Sequence, residues 1–185
     1  MSMIQAQRGI GLIEVLVALL LLAIAVLGFS AMQLTALKAT DESVMRSRAI
    51  TMMRGASEMM RANPTGIAKF GEALNSSVSP SSLTVDGAAI NKDSCVVTSN
   101  TSTSSCTIQQ LATRDGLALK QYAADNEIQI KLEGCPATSS GTPLSCLIAA
   151  WGDTTATLGT GANHCLNATT GIYNKGATCF VLEAY

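Results

Sequence analysis

The chain has 185 residues, 48% hydrophobic but only 4% aromatic and 14% charged. That length supports one domain with an appendage and excludes two independent cores. A net charge of −1 gives no field of the kind that draws nucleic acid or anionic lipid. The six cysteines all fall between Cys95 and Cys179. An even count confined to one region argues for disulfides made in an oxidising compartment.

The chain opens with a short polar leader ending in Arg8-Gly9, then Ile10-Gly11-Leu12-Ile13-Glu14, then an apolar run. From Val15 to Leu37 there are 23 residues without a charge, enough to cross a hydrocarbon core of about 30 Å. An ordinary secretory leader is cut after its apolar stretch, and Ala23-Ile24-Ala25 offers such a site, releasing a soluble protein that starts at Val26. Two features weigh against that cut. Glu14 stands at the head of the apolar run, where a charge costs about 2.5–3.5 kcal/mol at mid-bilayer, and apolar character continues past Ala25 through Leu27, Phe29, Met32, Leu34 and Leu37. The favoured processing site is therefore before the run, which leaves the mature chain anchored, with Arg8 on the cytoplasmic side and the remainder exported.

No proline occurs before Pro64, so one helix is expected from about Ile13 to Ala62, roughly 75 Å long at 1.5 Å per residue. Its second half turns amphipathic. Leu34, Leu37, Val44, Ala49, Met52, Met53, Ala56, Met59 and Met60 recur near helical spacing opposite Lys38, Asp41, Glu42, Arg46, Arg48, Arg54 and Arg61. Glu42–Arg46 and Arg54–Glu58 are expected i,i+4 ion pairs, and Asn63-Pro64 ends the helix.

Residues 63–106 read as an irregular Ser/Thr/Asn/Gly-rich connection, with short strand pieces at Leu83–Val85 and Cys95–Val97. A second helix is expected at Ile108–Tyr122, opened by the capping box Thr107-x-x-Gln110. Strands follow at Glu127–Glu133, Leu147–Trp151 and Phe180–Tyr185. Strict alternation in the first of them turns Ile128, Ile130 and Leu132 inward. No helix-length crossover separates the strands, so an antiparallel meander is the economical topology. The six cysteines admit 15 pairings. The consecutive set Cys95–Cys106, Cys135–Cys146 and Cys165–Cys179 is favoured, each bridge closing a loop of turn residues and contributing about 3 kcal/mol. A zinc site is disfavoured, because no Cys-x-x-Cys occurs.

Arg8-Gly9-Ile10-x-x-x-Glu14 with its apolar helix resembles the N-terminal signature of type IV pilins and type II secretion pseudopilins. The stretch Gly11–Leu22, Ile24–Gly28, Met32-Gln33, Met59–Pro64, Cys106-Thr107 and Leu111-Ala112-x-x-Asp115 is similar to the PilV-type minor pilin family. The likeness covers about 70 residues. It implies an α+β pilin fold, in which a long helix, half transmembrane and half amphipathic, packs on a small antiparallel sheet beside a second short helix and disulfide-closed loops. The expected organisation is a leader at 1–9, an assembly helix at 10–37, an amphipathic half at 38–62 and a stapled head at 63–185. The resemblance further implies cleavage after Gly9 by prepilin peptidase, N-methylation of Ile10, and pairing of Glu14 with the Ile10 amine of a neighbouring subunit. The implied role is a non-enzymatic minor pilin without cofactors, in the priming or tip complex of a type IV pilus. Its implied partners are other minor pilins, the major pilin and a large tip adhesin. It would reside in the inner membrane with a periplasmic head, and then on the pilus at the cell surface. Ile10 replaces the phenylalanine usual in major pilins. Ala31 replaces their helix-breaking proline, which puts melting of the anchor helix in doubt.

Other readings have less support. A type II secretion pseudopilin shares the same physics, although retention of Glu14 argues against the tip type that lacks the acid. A DNA-uptake pilin needs a basic strip, and Lys69, Lys92, Arg114, Lys120, Lys131 and Lys175 are scattered. His164 adjoins Cys165 in a Gly/Asn-rich loop and reads as structural, not as half of a nucleophilic pair. Asn75, Asn100 and Asn167 fit the N-x-Ser/Thr sequon, as chance allows in so Ser/Thr-rich a chain. Trp151 and the Met-rich face at 52–60 read as core.

Overall fold

The computed structural model describes residues 11–77, 82–96, 106–136 and 144–184. The chain divides into two compact units, Met1–Val44 and Met45–Tyr185. In the first unit the described chain is the start of one helix, α1 (Leu12–Ala62). Every described residue in it is exposed, and its best 18-residue window has a mean hydropathy of 2.9. Apolar side chains displayed all round a helix need a non-aqueous surround.

The second unit holds the rest of α1, then a 3₁₀ turn (Pro64–Gly66), α2 (Ile67–Asn75), β1 (Leu83–Val85), β2 (Ala88–Ile90), α3 (Ile108–Asp125), β3 (Ile128–Gly134), β4 (Ser145–Trp151), β5 (Thr155–Leu158), β6 (His164–Leu166) and β7 (Cys179–Ala184). Strands β3, β4 and β7 form an antiparallel sheet with β4 in the centre. From α1, Ala49, Met52, Met53, Ala56 and Met60 are buried. Their spacing of three and four residues makes one stripe. The sheet meets that core with cross-strand rows Ile128–Trp151, Ile130–Ala149–Phe180 and Leu132–Leu147–Leu182. Its other face carries Ile148, Ala150 and Cys179, packed with Ala156, Cys165 and Leu166 from β5 and β6. Because β4 is covered on both faces, it reads as an unbroken apolar run instead of alternating.

The fold is the pilin fold expected from the sequence, with a long N-terminal helix, a small antiparallel sheet and three disulfides. The bridges join Cys95 to Cys106, Cys135 to Cys146 and Cys165 to Cys179. The Thr107 capping box is formed in full.

Several expectations are corrected. Residues 63–106 are not an irregular connection, because α2 forms there and buries Phe70, Ala73 and Leu74. Gly71 lowers its local propensity, but it and the N-cap Gly66 are needed for close approach. A Cβ on Gly66 would lie 2.6 Å from the Ala112 Cβ, and one on Gly71 would lie 3.0 Å from Leu132. Leu83–Val85 is a strand, and it pairs with a β2 that was not expected. The two-residue turn Asp86-Gly87 has φ of 51° and 78°, the geometry that matches strand twist in a tight hairpin. Cys95 has a φ of 66° and lies in a turn, not a strand; Val97 is outside the described residues. The three expected strands pair as the antiparallel meander β3-β4-β7, but between β4 and β7 in the chain β5 and β6, which were not expected, pair in parallel as a separate sheet. Glu58 turns to Arg61 at 3.6 Å instead of Arg54, in keeping with the preference for an acid N-terminal to its cation on a helix.

Two glycines test this packing in opposite directions. A Cβ on Gly116 of α3 would sit 2.7 Å from the Ala73 Cβ and 2.8 Å from the Phe70 carbonyl, whereas Gly55 of α1 has open space. Gly116→Ala is expected to destabilise by about 1–3 kcal/mol through overpacking. Gly55→Ala is expected to stabilise by about 0.5–1 kcal/mol through helix propensity. Thermal melts of the detergent-solubilised chain check both, and a Gly116→Ala melting point at or above wild type would refute the close α2–α3 contact. The disulfides should also differ in access. Cys165 and Cys179 are buried at 0% and 4% exposure, while Cys95 and Cys106 are partly open. Timed alkylation under mild reductant is therefore expected to label the Cys95–Cys106 pair first and the Cys165–Cys179 pair last.

Candidate functional site

Arg8, Gly9 and Ile10 lie outside the described residues, so the site is described from Gly11 onward. The Gly11 carbonyl accepts from the backbone N–H of Glu14 (3.0 Å) and Val15 (3.4 Å), which starts α1 at Leu12. Glu14 therefore occupies the first turn, where unpaired N–H groups favour a negative charge. It is the only charged residue between Gly11 and Leu37. Its carboxylate has no ion pair or hydrogen bond among the described residues.

The hydroxyls of Ser30, Thr35 and Thr40 are satisfied within the helix itself. Ser30 donates to the Val26 carbonyl at 2.9 Å, Thr35 to Ala31 at 3.0 Å and Thr40 to Ala36 at 2.9 Å. In an apolar surround an unpaired hydroxyl costs several kcal/mol, so this back-bonding lets the segment carry hydroxyls without a polar partner. The helix runs uninterrupted through Ala31, whose carbonyl accepts the Thr35 hydroxyl. Glu14 is thus the one charged group of the segment, and it has no counterpart among the described residues.

Elsewhere the structure disposes of the chemical candidates. Cys165 is in a disulfide and offers no thiolate. His164 packs its ring against Gly159 and places Nδ1 2.7 Å from the Thr157 hydroxyl, a loop-fastening contact. Trp151 is buried, as are Met52, Met53 and Met60, but Met59, expected on the core face, is exposed. Among the described residues no three His, Cys, Asp or Glu side chains cluster to hold a metal ion. The scattered cations are largely committed. Lys69 pairs with Glu72 at 2.7 Å, Lys92 with Asp93 at 2.9 Å and Arg114 with Asp115 at 2.5 Å.

Sequence reasoning missed two residues that organise the head. Asn75 was noted only as a sequon. Its amide instead donates to the Leu132 carbonyl at 2.7 Å and accepts from the Leu132 N–H at 3.1 Å, so it occupies the edge of β3 as a neighbouring strand would. Asn167 accepts from the Thr169 and Thr170 N–H groups in a turn, and Asn100 lies outside the described residues. Lys120 was counted as part of a surface scatter. Its ammonium donates to the Ser76 carbonyl, to the Ser76 hydroxyl at 3.0 Å and to the Ser77 carbonyl at 3.2 Å, capping the end of α2. Burial, with the nearby Lys131 charge, holds it below the usual lysine range. A sequon match and a lone Lys carry no local signal for either role.

Two known families match the chain. The prokaryotic N-terminal methylation motif covers residues 4–30, which include the start of α1 and Glu14. The type IV pilin Tt1218-like family covers residues 31–117, from the middle of α1 into α3. Searches of curated proteins and of solved structures found no match. The matched stretches adjoin along the long apolar helix, and with the pilin fold beyond it they support a type IV pilin.

Proposed function

We propose that this pilin is a minor pilin of the PilV type, a non-enzymatic subunit of the priming or tip complex that initiates a type IV pilus. The observation that carries the reading is the lone Glu14 at the start of a helix that is otherwise uncharged as far as Leu37. A carboxylate placed there is costly unless it meets a positive charge. Cleavage after Gly9 would create that charge as the amine of Ile10, subsequently N-methylated. The Glu14 carboxylate of one subunit then neutralises the Ile10 amine of the next as helices leave the bilayer and bundle. Assignment to the minor class is supported by Ala31 in place of a proline and by the flanks Met59–Pro64 and Cys106–Asp115. On this reading the helix sits in the inner membrane before assembly, with the head in the periplasm and later on the cell surface. The partners are prepilin peptidase, the major pilin, other minor pilins and a large tip adhesin.

N-terminal mass analysis of the mature protein is expected to find N-methyl-Ile10, and Val26 at the terminus would reject an anchored subunit. Glu14→Ala should leave processing unchanged but lower the protein's level in sheared pili at least ~10-fold, the equivalent of about 1.4 kcal/mol of lost pairing. Normal surface piliation and co-purification with the other minor pilins would sink the priming role. Loss of protein secretion with intact pili would instead assign the chain to a type II secretion system.

A further inference from the structure

The three-stranded sheet treats its two edges differently. At β3, Asn75 pairs with both backbone groups of Leu132, and the Glu133 carboxylate accepts from the Leu158 N–H at 3.2 Å. That edge is blocked at Leu132, where an added strand would have to displace Asn75. At β7, the Val181 N–H donates outward to the Tyr173 hydroxyl at 3.2 Å. Since antiparallel pairing alternates inward and outward residues, Val181 and Glu183 both direct their N–H and C=O away from β4. Tyr173 covers the first of these donors. Among the described residues nothing hydrogen-bonds the Val181 carbonyl or the outward groups of Glu183.

This open stretch borders a groove of about 580 Å³ lined by Arg54, Ser57 and Arg61 of α1 and by Leu182, Glu183 and Ala184 of β7. Arg54 has no ion pair among the described residues, and Arg61 has only an exposed contact to Glu58 at 3.6 Å. An unpaired strand edge beside two guanidinium groups selects for an extended chain that brings a carboxylate. We propose that the Val181–Glu183 edge of β7 is a docking site for an extended strand of a partner protein, with an acidic side chain of that strand turned towards Arg54 and Arg61. Main-chain pairing supplies the attachment and the arginines supply direction and selectivity. Tyr173 sets the register by blocking extension past Val181. The site is remote in sequence from Glu14 and does not depend on the identity of the pilus subunit.

Glu183→Pro tests the edge cleanly, because proline removes a donor that points away from β4 and leaves the ladder to β4 intact. The full chain in detergent micelles would be titrated with eight-residue peptides of alternating Val and Thr, carrying either Glu or Lys at one end. The Glu peptide is expected to slow amide exchange at Glu183, and Glu183→Pro is expected to abolish its binding without shifting the melting point. Arg54→Glu should weaken the Glu peptide and favour the Lys peptide, each by about two- to fivefold, the worth of an exposed ion pair. Should Glu183→Pro fail to fold, that reversal alone decides. Equal binding of the two peptides, unchanged binding by Glu183→Pro in a folded chain, or no protection at Glu183 would each overturn the proposal. Protection that rises with protein concentration and needs no peptide would overturn it in favour of a second copy of this chain.

Discussion

The structure depends on α1 meeting two different solvents along one unbroken hydrogen-bonded rod. Over Leu12–Leu37 the helix shows apolar side chains in every direction, and the hydroxyls of Ser30 and Thr35 return to its own carbonyls. Over Ala49–Met60 the apolar residues narrow to a single stripe, with arginines beside it. The first pattern is stable only where water is excluded from all sides; the second needs a protein core on one side and water on the other. Neither half could exchange places with the other. The sequence alone enforces this order, because the change from unbroken to periodic hydrophobicity is what separates an anchor from a packing face.

The head is built to keep that stripe covered with few aromatic residues. Small residues let backbones approach closely, as Ala49 and Ala56 do on α1, Ala149 does on β4 and Gly116 does between α3 and α2. Methionines fill the remaining space, and their unbranched side chains adapt to an irregular cavity. Such a core buries less area per residue than one rich in Phe and Leu, so covalent support counts for more. The bridges do not all act in one place. Cys135–Cys146 lies where β3 and β4 meet at their far ends, while Cys165–Cys179 sits inside the second core between β6 and β7.

Elements whose signal is local were legible in the sequence. The Val15–Leu37 run, the Ala49–Met60 spacing, the Thr107 capping box and the alternation from Ile128 to Leu132 each contain their own physical reason, and each gave the right element. The α2 helix did not, because its glycines argue against a helix unless α3 and Leu132 are known to be within contact distance. The parallel pairing of β5 with β6 is likewise a tertiary event between four-residue and three-residue segments too short to show a period. The Asp86-Gly87 hairpin is a different case: its turn signal was present in the sequence, and the short flanking strands hid it. For the candidate site, Glu14 stood out because a charge at the end of an apolar run has a cost that can be stated in advance. Asn75 and Lys120 could not stand out, since their value lies in backbone groups 57 and 44 residues away.

The placement of polar groups follows a single rule in both units. Wherever backbone polarity would otherwise be exposed to an apolar or competing environment, a side chain closes it. Ser30 and Thr35 do so on the anchor helix, Lys120 at the end of α2, Asn75 at the edge of β3 and Tyr173 at the start of the β7 edge. Against that background the groups left open carry meaning. In the anchor helix the open charge is the Glu14 carboxylate, and in the head the short β7 edge beside Arg54 is among the open groups. On the reading proposed above, both are where the subunit meets a neighbour, since an unpaired carboxylate and an unpaired strand edge are each completed by a group from outside the chain.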